Sequence, residues 1–257
     1  MLLLLFCVLM AVVFIAPWVL VRQLPILPLL PTSRPSKRLV LEPADIPAPR
    51  HLRNGAVEPH FLSLHQQFLD RGGSGPVDLL FLGDSITQGW TTTGLEVWNN
   101  NFAADHPANF GIAGDRTQNL LWRIDNGELN HINPRVVVLL IGTNNTDYPW
   151  EDIARADTKI VEEIREKLPK SKLLLLAIFP REVSPKDPVR EKIRKVNTVL
   201  SRLDDGTFIR YLNIGNIFLT SKDTVDMKRM PDFLHPNQSG YQMWADAMRP
   251  LLKEMQK

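Results

Sequence analysis

Cysteine is nearly missing from this chain, with Cys7 the only one in 257 residues. A single thiol excludes an intramolecular disulfide and a cysteine-based metal site, and beyond the N-terminal segment it excludes a cysteine nucleophile. Strong charge of one sign is missing too. Lys and Arg number 30 against 28 Asp and Glu, a formal net charge of +2. No basic helix or aromatic–basic interleaving marks a nucleic-acid surface, so no nucleic-acid partner is expected. The turn "GDSITQG" resembles a phosphate cradle, yet the chain has neither a P-loop lysine nor a G-x-G-x-x-G fingerprint. The G-x-S-x-G elbow of the larger α/β hydrolases is also missing, which argues against that fold. No metal-ligand spacing and no internal repeat appear, and neither metal nor cofactor is expected.

What is present begins with an apolar run, "MLLLLFCVLMAVVFIAPWVLV", uncharged from Met1 to Val21. Its length suits a bilayer-spanning helix better than the shorter core of a signal peptide, and it lacks a basic n-region and a small-x-small cleavage site. A single N-terminal membrane anchor over 1–21 is the expectation, with secretion after cleavage as the alternative. Arg22, Arg34, Lys37 and Arg38 follow it. Taken alone they hold the C-terminal side in the cytoplasm, but export of a folded domain overrides so small a bias, so sidedness stays open. Residues 22–50 contain Pro25, Pro28, Pro31, Pro35, Pro43, Pro47 and Pro49. That density favours extended backbone without internal hydrogen bonds, and the stretch reads as a semi-stiff tether.

From His51 onward the pattern alternates. "HFLSLHQQFLD" has helical spacing and is broken by "RGGSG". The apolar runs "VDLLFLG", "ANFGI", "RVVVLLIGT" and "KLLLLAIFP" follow, with a weaker fifth, "FIRYLNI". Continuous aliphatic runs of this kind suit strands covered on both faces. Helical stretches lie between them around Leu95–Ala104, Asn119–Asp125, Ile153–Leu168 and Val189–Leu203, with a last helix after Ser239. The expected fold is a single α/β domain over 51–257, a parallel sheet with helices on both sides.

In such sheets ligands bind at the carboxyl ends of the strands, where the distinctive residues gather. Ser85 follows the first strand, Gly114 and Asp115 the second, Asn144 the third, and Asp232 and His235 lie on the loop "MPDFLHPNQSGY". A serine needs a base, and a histidine base needs its second ring nitrogen held, ordinarily by a carboxylate. The backbone N–H groups of Ser85 and Gly114 and the side-chain amide of Asn144 are candidate donors to an oxyanion. Each residue also has a plainer reading. Asp84 and Ser85 suit a helix cap, Gly114 a turn, Asn144 another cap, and "DFLH" a capping aspartate beside a surface histidine.

Four blocks in order, "GDS", the Gly114 segment, "GTNN" and "DFLH", resemble the SGNH/GDSL hydrolase superfamily. The longer phrases "NFGIAGDRTQNLLWRIDNGELNHINPRVVVLLIGTNN" and "MPDFLHPNQSGY" resemble the platelet-activating factor acetylhydrolase Ib catalytic-subunit branch. The resemblance runs from about His60 to the C-terminus. It implies a flavodoxin-like three-layer fold with a five-stranded parallel sheet and metal-free ester hydrolysis through an acyl-enzyme. By the same resemblance Ser85 is nucleophile, His235 base and Asp232 its orienter, with Ser85, Gly114 and Asn144 forming the oxyanion hole. By the resemblance to the acetylhydrolase branch Ile86, Thr143 and Leu234, beside these residues, are the expected walls of a small acyl site; the plainer reading is three packing residues beneath an open groove. Two departures stand out. Asn145 replaces the Asp common in the superfamily, as it does in the acetylhydrolase branch, and Ala113 stands where those enzymes often carry glycine, which predicts a stiffer loop.

The expected function is a serine esterase removing short acyl groups, acetyl foremost, from a lipid or carbohydrate. The competing readings are a catalytically silent binding or scaffold protein on the same fold, and a lysophospholipase or thioesterase acting on longer chains. The expected partners are the ester substrate and, through the N-terminal helix, the membrane. A homodimer is among the expected assemblies.

Overall fold

The computed structural model describes residues 42–257. The apolar segment Met1–Val21, the anchor read from it, and the tether before residue 42 lie outside the described residues. Among the described residues no helix is long and apolar enough to cross a membrane.

Five parallel strands form one sheet: β1 (Leu79–Gly83), β2 (Pro107–Gly111), β3 (Val136–Leu140), β4 (Lys172–Leu176) and β5 (Ile209–Leu212). Their spatial order is β2-β1-β3-β4-β5. The helices are α1 (Pro59–Gly73), α2 (Ser85–Gln88), α3 (Leu95–Phe102), α4 (Thr117–Arg123), α5 (Trp150–Lys167), α6 (Pro188–Leu200) and α7 (Gln238–Met255). β1 pairs with β2 on one side and β3 on the other. The connection therefore reverses direction between β1 and β3, and the crevice beyond their carboxyl ends is where doubly wound sheets bind ligands.

The aliphatic runs are continuous because both faces of the sheet are buried. Side chains alternate between two cores with the two-residue period of a strand. Leu80, Leu82, Val137, Leu139, Leu173 and Leu175 pack with residues of α4, α5 and α6 such as Leu120, Ile160 and Ile193. Leu79, Phe81, Val136, Val138, Leu174 and Leu176 face the other way, against Val97 and Trp98 of α3 and Trp244 and Met248 of α7. Strand β5, the weakest apolar run, is an edge strand whose residues are all half-buried.

The second core is largely aromatic. Trp90 lies 4.7 Å from the Tyr241 ring and 4.8 Å from that of Trp244. A buried tyrosine hydroxyl needs an acceptor, and Tyr241 Oη donates to the Ile86 carbonyl at 2.8 Å. That bond joins α7 to α2, the two elements next to the candidate base and nucleophile.

One sequence expectation needs correction: the domain starts before His51. Residues 42–50, read as tether, are strapped onto the sheet's helical layer. Ala44 and Ala48 are buried. Thr117 Oγ1 donates to the Ala44 carbonyl at 2.8 Å and Asn119 Nδ2 to the Ala48 carbonyl at 3.0 Å. Ala48 N–H donates to the Gln118 carbonyl at 3.0 Å, and Arg155 pairs with Asp45 at 2.8 Å. Proline-rich chain has idle backbone acceptors, and here buried side-chain donors use them. A protein beginning at Glu42 should thus keep its stability, whereas one beginning at His51 loses both bonds, the Asp45–Arg155 pair and the burial of Ala44 and Ala48. At about 0.5–1.5 kcal/mol for each lost hydrogen bond, the shorter chain should melt several degrees lower. Equal melting temperatures would contradict this account of the strap.

Candidate active site

Strand β1 ends at Gly83, and Asp84 caps the short helix α2: its carboxylate accepts the Ile86 N–H at 2.9 Å. The capping role suggested for both residues thus belongs to Asp84 alone, and the Ser85 hydroxyl is left for something else. Ser85 Oγ lies 2.9 Å from His235 Nε2. His235 Nδ1 in turn lies 2.6 Å from Asp232 Oδ2. An ionised carboxylate only accepts hydrogen bonds, so Nδ1 carries the proton and Nε2 is free to accept the serine's.

The loop "DFLH" brings Asp232 and His235 together by turning tightly. Phe233 takes a left-handed backbone, φ 62°, unusual for a residue with a side chain and a local strain of the order of 1–2 kcal/mol. Asp232 Oδ1 accepts the N–H groups of Leu234 at 3.1 Å and His235 at 2.7 Å. The Glu182 N–H on the loop after β4 holds the Phe233 carbonyl at 3.2 Å. Asp232 is not buried: its side chain is 57% exposed. What burial it has raises its carboxyl, but hydrogen bonds from the His235 and Leu234 N–H groups and the His235 ring outweigh that and hold it below the ordinary carboxylate range. It stays ionised because donors surround it.

The oxyanion candidates converge on the same edge. Ser85 is the first residue of α2, so its N–H has no intrahelical acceptor. Gly114 has φ +81°, a backbone that side-chain-bearing residues avoid. Asn144, just after β3, spends one amide proton on the Asp115 carbonyl at 2.8 Å, which leaves its second. The loop is braced by Gln88, which the sequence did not single out, and whose Oε1 accepts the Ala113 N–H at 3.1 Å. Ala113 itself is not among the residues with positive φ, so alanine fits there without strain. Asn145 explains its own departure from Asp. Its amide donates to Thr117 Oγ1 and Gln118 Oε1, both at 3.0 Å, while its oxygen accepts the Thr117 N–H. A carboxylate in that buried place has nothing to donate.

Of the three expected acyl-site residues, Ile86 and Thr143 are 1% and 3% exposed, and Leu234 is half-buried. A further residue missed by sequence reasoning is Arg181, whose guanidinium donates to the Thr143 carbonyl at 2.9 Å. Only the meeting of two distant loops could reveal it. Behind the oxyanion loop Asp115 pairs with the fully buried Arg123 at 2.8 Å. Burial lifts the Asp115 carboxyl to about 6, against the pull of Arg123 and Arg50. Among the described residues no cluster of His, Cys, Asp and Glu could hold a metal ion.

Asp84 lies wholly buried with one carboxylate oxygen unpartnered. Burial, reinforced by Asp115 and opposed by the Ile86 N–H and Arg181, lifts it to about 7. Its folded pKa is raised, so folding favours its protonated form. Its contribution is whole below about pH 4, declines as pH rises, and is lost above about pH 7. Three pKa units correspond to at most about 4 kcal/mol. Asp84→Asn keeps the capping oxygen and removes the charge, so its melting temperature relative to the parent should rise between pH 5 and pH 8. An identical difference at both pH values would contradict this.

Comparison with known proteins gives the family. Residues 81–243 match the GDSL-like Lipase/Acylhydrolase family. Platelet-activating factor acetylhydrolase IB subunit alpha1 of Homo sapiens is 34% identical over 211 residues, covering 82% of this chain and 89% of the relative. The alpha2 subunit of Rattus norvegicus is 36% identical over 197 residues, 76% and 84% of the two chains. In fold the chain is similar to a GDSL-like lipase from Bacteroides thetaiotaomicron, with a TM-score of 0.63 at 19% identity over 74% of this chain and 97% of the other. It is also similar to an acetylxylan esterase from Geobacillus stearothermophilus, with a TM-score of 0.54 at 19% identity over 69% and 93%. A match that takes in the end of β1, the serine turn and the histidine loop, at this identity to relatives covered over more than four-fifths of their length, leaves one assignment: the chain belongs to the GDSL-like lipase/acylhydrolase family and is an ester hydrolase.

Proposed function

We propose that this ester hydrolase is a serine esterase specialised for short acyl groups, acetyl foremost, carried by a lipid or a carbohydrate. The observation that carries the reading is the hydrogen-bonded line from Ser85 Oγ through the His235 ring to Asp232. His235 Nε2 takes the Ser85 proton as Oγ attacks the ester carbonyl. Asp232, held ionised, stabilises the imidazolium and keeps the ring in place. The tetrahedral oxyanion is met by the N–H groups of Ser85 and Gly114 and the amide of Asn144. His235 then protonates the departing alcohol oxygen, and water repeats the sequence on the acyl-enzyme to release the acid.

Two considerations support the acyl preference. The related proteins include platelet-activating factor acetylhydrolase subunits and, in fold, an acetylxylan esterase. Ile86 and Thr143 are locked into the core, so neither can retreat to admit a longer chain, and Leu234 is the one adjustable wall. A methylene that does not fit costs about tenfold to two-hundredfold in specificity. With p-nitrophenyl esters kcat/KM should fall steeply from acetate to hexanoate and recover in part in Leu234→Ala. A flat or rising series would refute the acyl preference while leaving the serine mechanism standing. Fluorophosphonate labelling of Ser85 tests the mechanism itself, since only an activated serine reacts fast.

In the same reading Met1–Val21 ties the enzyme to a membrane. Full-length protein should stay with membranes through a carbonate wash, and its release would remove the anchor from the proposal.

A further inference from the structure

Arg50 approaches the oxyanion loop from the strap that leads into the domain. Its backbone is set by a small hairpin, in which the Glu58 N–H donates to the Arg50 carbonyl at 2.8 Å and His51 bridges Val57. Its guanidinium pairs with Glu58, lies 5.6 Å over the Phe61 ring and stands 3.8 Å from Asp115. It also donates to the carbonyl of Ala113. The side chain is only 22% exposed. Glu58, Phe61 and Asp115 thus hold one arginine in a single pose, and that pose is spent on one backbone oxygen.

That oxygen belongs to the peptide group whose N–H is the N–H of Gly114. The C=O and N–H of a trans peptide lie in one rigid plane and point opposite ways. A cation on the oxygen therefore decides where the N–H aims. It also draws electron density toward the oxygen and makes the N–H a stronger donor, as chained hydrogen bonds do. The Gly114 N–H itself donates to no carbonyl or side chain among the described residues. The other braces lie elsewhere on the loop: Gln88 holds the Ala113 N–H of the preceding peptide group, the Ile112 carbonyl takes the Asp115 N–H of the following one, and Asn144 holds the Asp115 carbonyl beyond it. Among the described residues Arg50 alone holds this one. A Cβ at position 114 would stand 2.9 Å from the guanidinium, so glycine also makes room for the contact.

We propose that Arg50 is a positioning residue for the oxyanion hole: it aims and polarises the Ala113–Gly114 peptide. The strap by which the N-terminal segment enters the domain thereby sets the rate of acyl transfer. This rests on the serine-esterase reading with Gly114 as an oxyanion donor. Arg50 has no part in holding the ground-state ester, so its loss falls on kcat and leaves KM nearly unchanged.

The test uses the full chain, wild type beside Arg50→Ala and Arg50→Lys, with p-nitrophenyl acetate as substrate. A single oxyanion donor is worth about 100-fold to 1000-fold in kcat. Polarisation supplies roughly 10–30% of such a bond, so its loss alone lowers kcat by about two- to eightfold. If the peptide also turns, the fall extends toward about 100-fold. A trifluoromethyl ketone, which forms a tetrahedral adduct with the active serine, should lose affinity in proportion to kcat/KM. Added guanidinium ion should restore part of the rate in Arg50→Ala, and the Gly114 amide nitrogen should shift upfield by NMR. Unchanged kcat and ketone affinity, or a loss confined to KM, would overturn the proposal. Should Arg50→Ala not fold, Arg50→Lys carries the test, because it keeps the charge near Glu58 but loses the forked geometry. A silent wild type would bring down the esterase reading itself, whereas an active wild type matched by both variants brings down only the role of Arg50.

Discussion

Ser85→Ala should lower kcat/KM for acetyl esters by about 10⁴- to 10⁶-fold and leave the melting temperature within about two degrees of the parent. The catalytic loss is large because the variant has no atom to form the acyl-enzyme. The structural loss is small for a specific reason. The N-cap of α2 is Asp84, not Ser85, and the serine hydroxyl's partner in the structure is His235. His235 is half-buried and its ring remains tied to Asp232, so no buried group is orphaned. His235→Ala should be nearly as damaging, and the double variant no worse than either, since nucleophile and base act as a unit. Circular dichroism beside a turnover assay checks both halves. Substantial turnover in a folded Ser85→Ala protein would exclude Ser85 as nucleophile.

Gly111→Ala should destabilise the fold far more than the addition of one methyl group ordinarily does. Gly111 ends β2 where the strand runs against α2. A Cβ there would lie 2.3 Å from the Gln88 nitrogen, and 2.9 Å from both the Asp84 carbonyl and the Gln88 Cα. Every one of those atoms is backbone, so no side chain can swing aside. Relief requires α2 to move, and α2 is held on its other side by the Tyr241 hydroxyl on the Ile86 carbonyl. Overpacking of this kind with no escape falls among the rare substitutions costing more than about 4 kcal/mol. The expected result is insoluble protein or a sharply lowered urea midpoint, with catalysis lost because Ser85 rides on the displaced helix. Gly73→Ala is the matched control: nothing lies within 4 Å of a Cβ at that position in α1. A Gly111→Ala protein with the parent's midpoint would mean that α2 yields to the strand at almost no cost.

Much of this protein was legible in its sequence, and the legible part has a common cause. "RVVVLLIGT" and "KLLLLAIFP" read as strands covered on both faces, because short continuous aliphatic runs suit the buried strands of a parallel sheet. The weaker fifth run, "FIRYLNI", is the half-buried edge strand of the sheet. Ser85, Gly114, Asn144 and the pair Asp232 and His235 each follow a strand or precede a helix, and in a parallel sheet that position alone carries them to one edge. What failed to show depends on contacts between segments far apart in the chain. Residues 42–50 have the composition of a free tether, and proline-rich sequence looks the same whether its carbonyls meet water or the side chains of Thr117 and Asn119. The choice between Asp84 and Ser85 as cap was undecidable until His235, 150 positions away, claimed the hydroxyl. Arg50 carries no signature as an arginine before a hairpin; its meaning comes from the Ala113 carbonyl 63 positions on. Asp232 keeps its charge through the donors that the tight turn at Phe233 gathers around it, against what burial it has. Local chemistry determined which segments become strands and which loops carry reactive groups. Only tertiary structure decided which of those groups meet, because hydrogen bonds act over about 3 Å and the sequence records nothing of such distances.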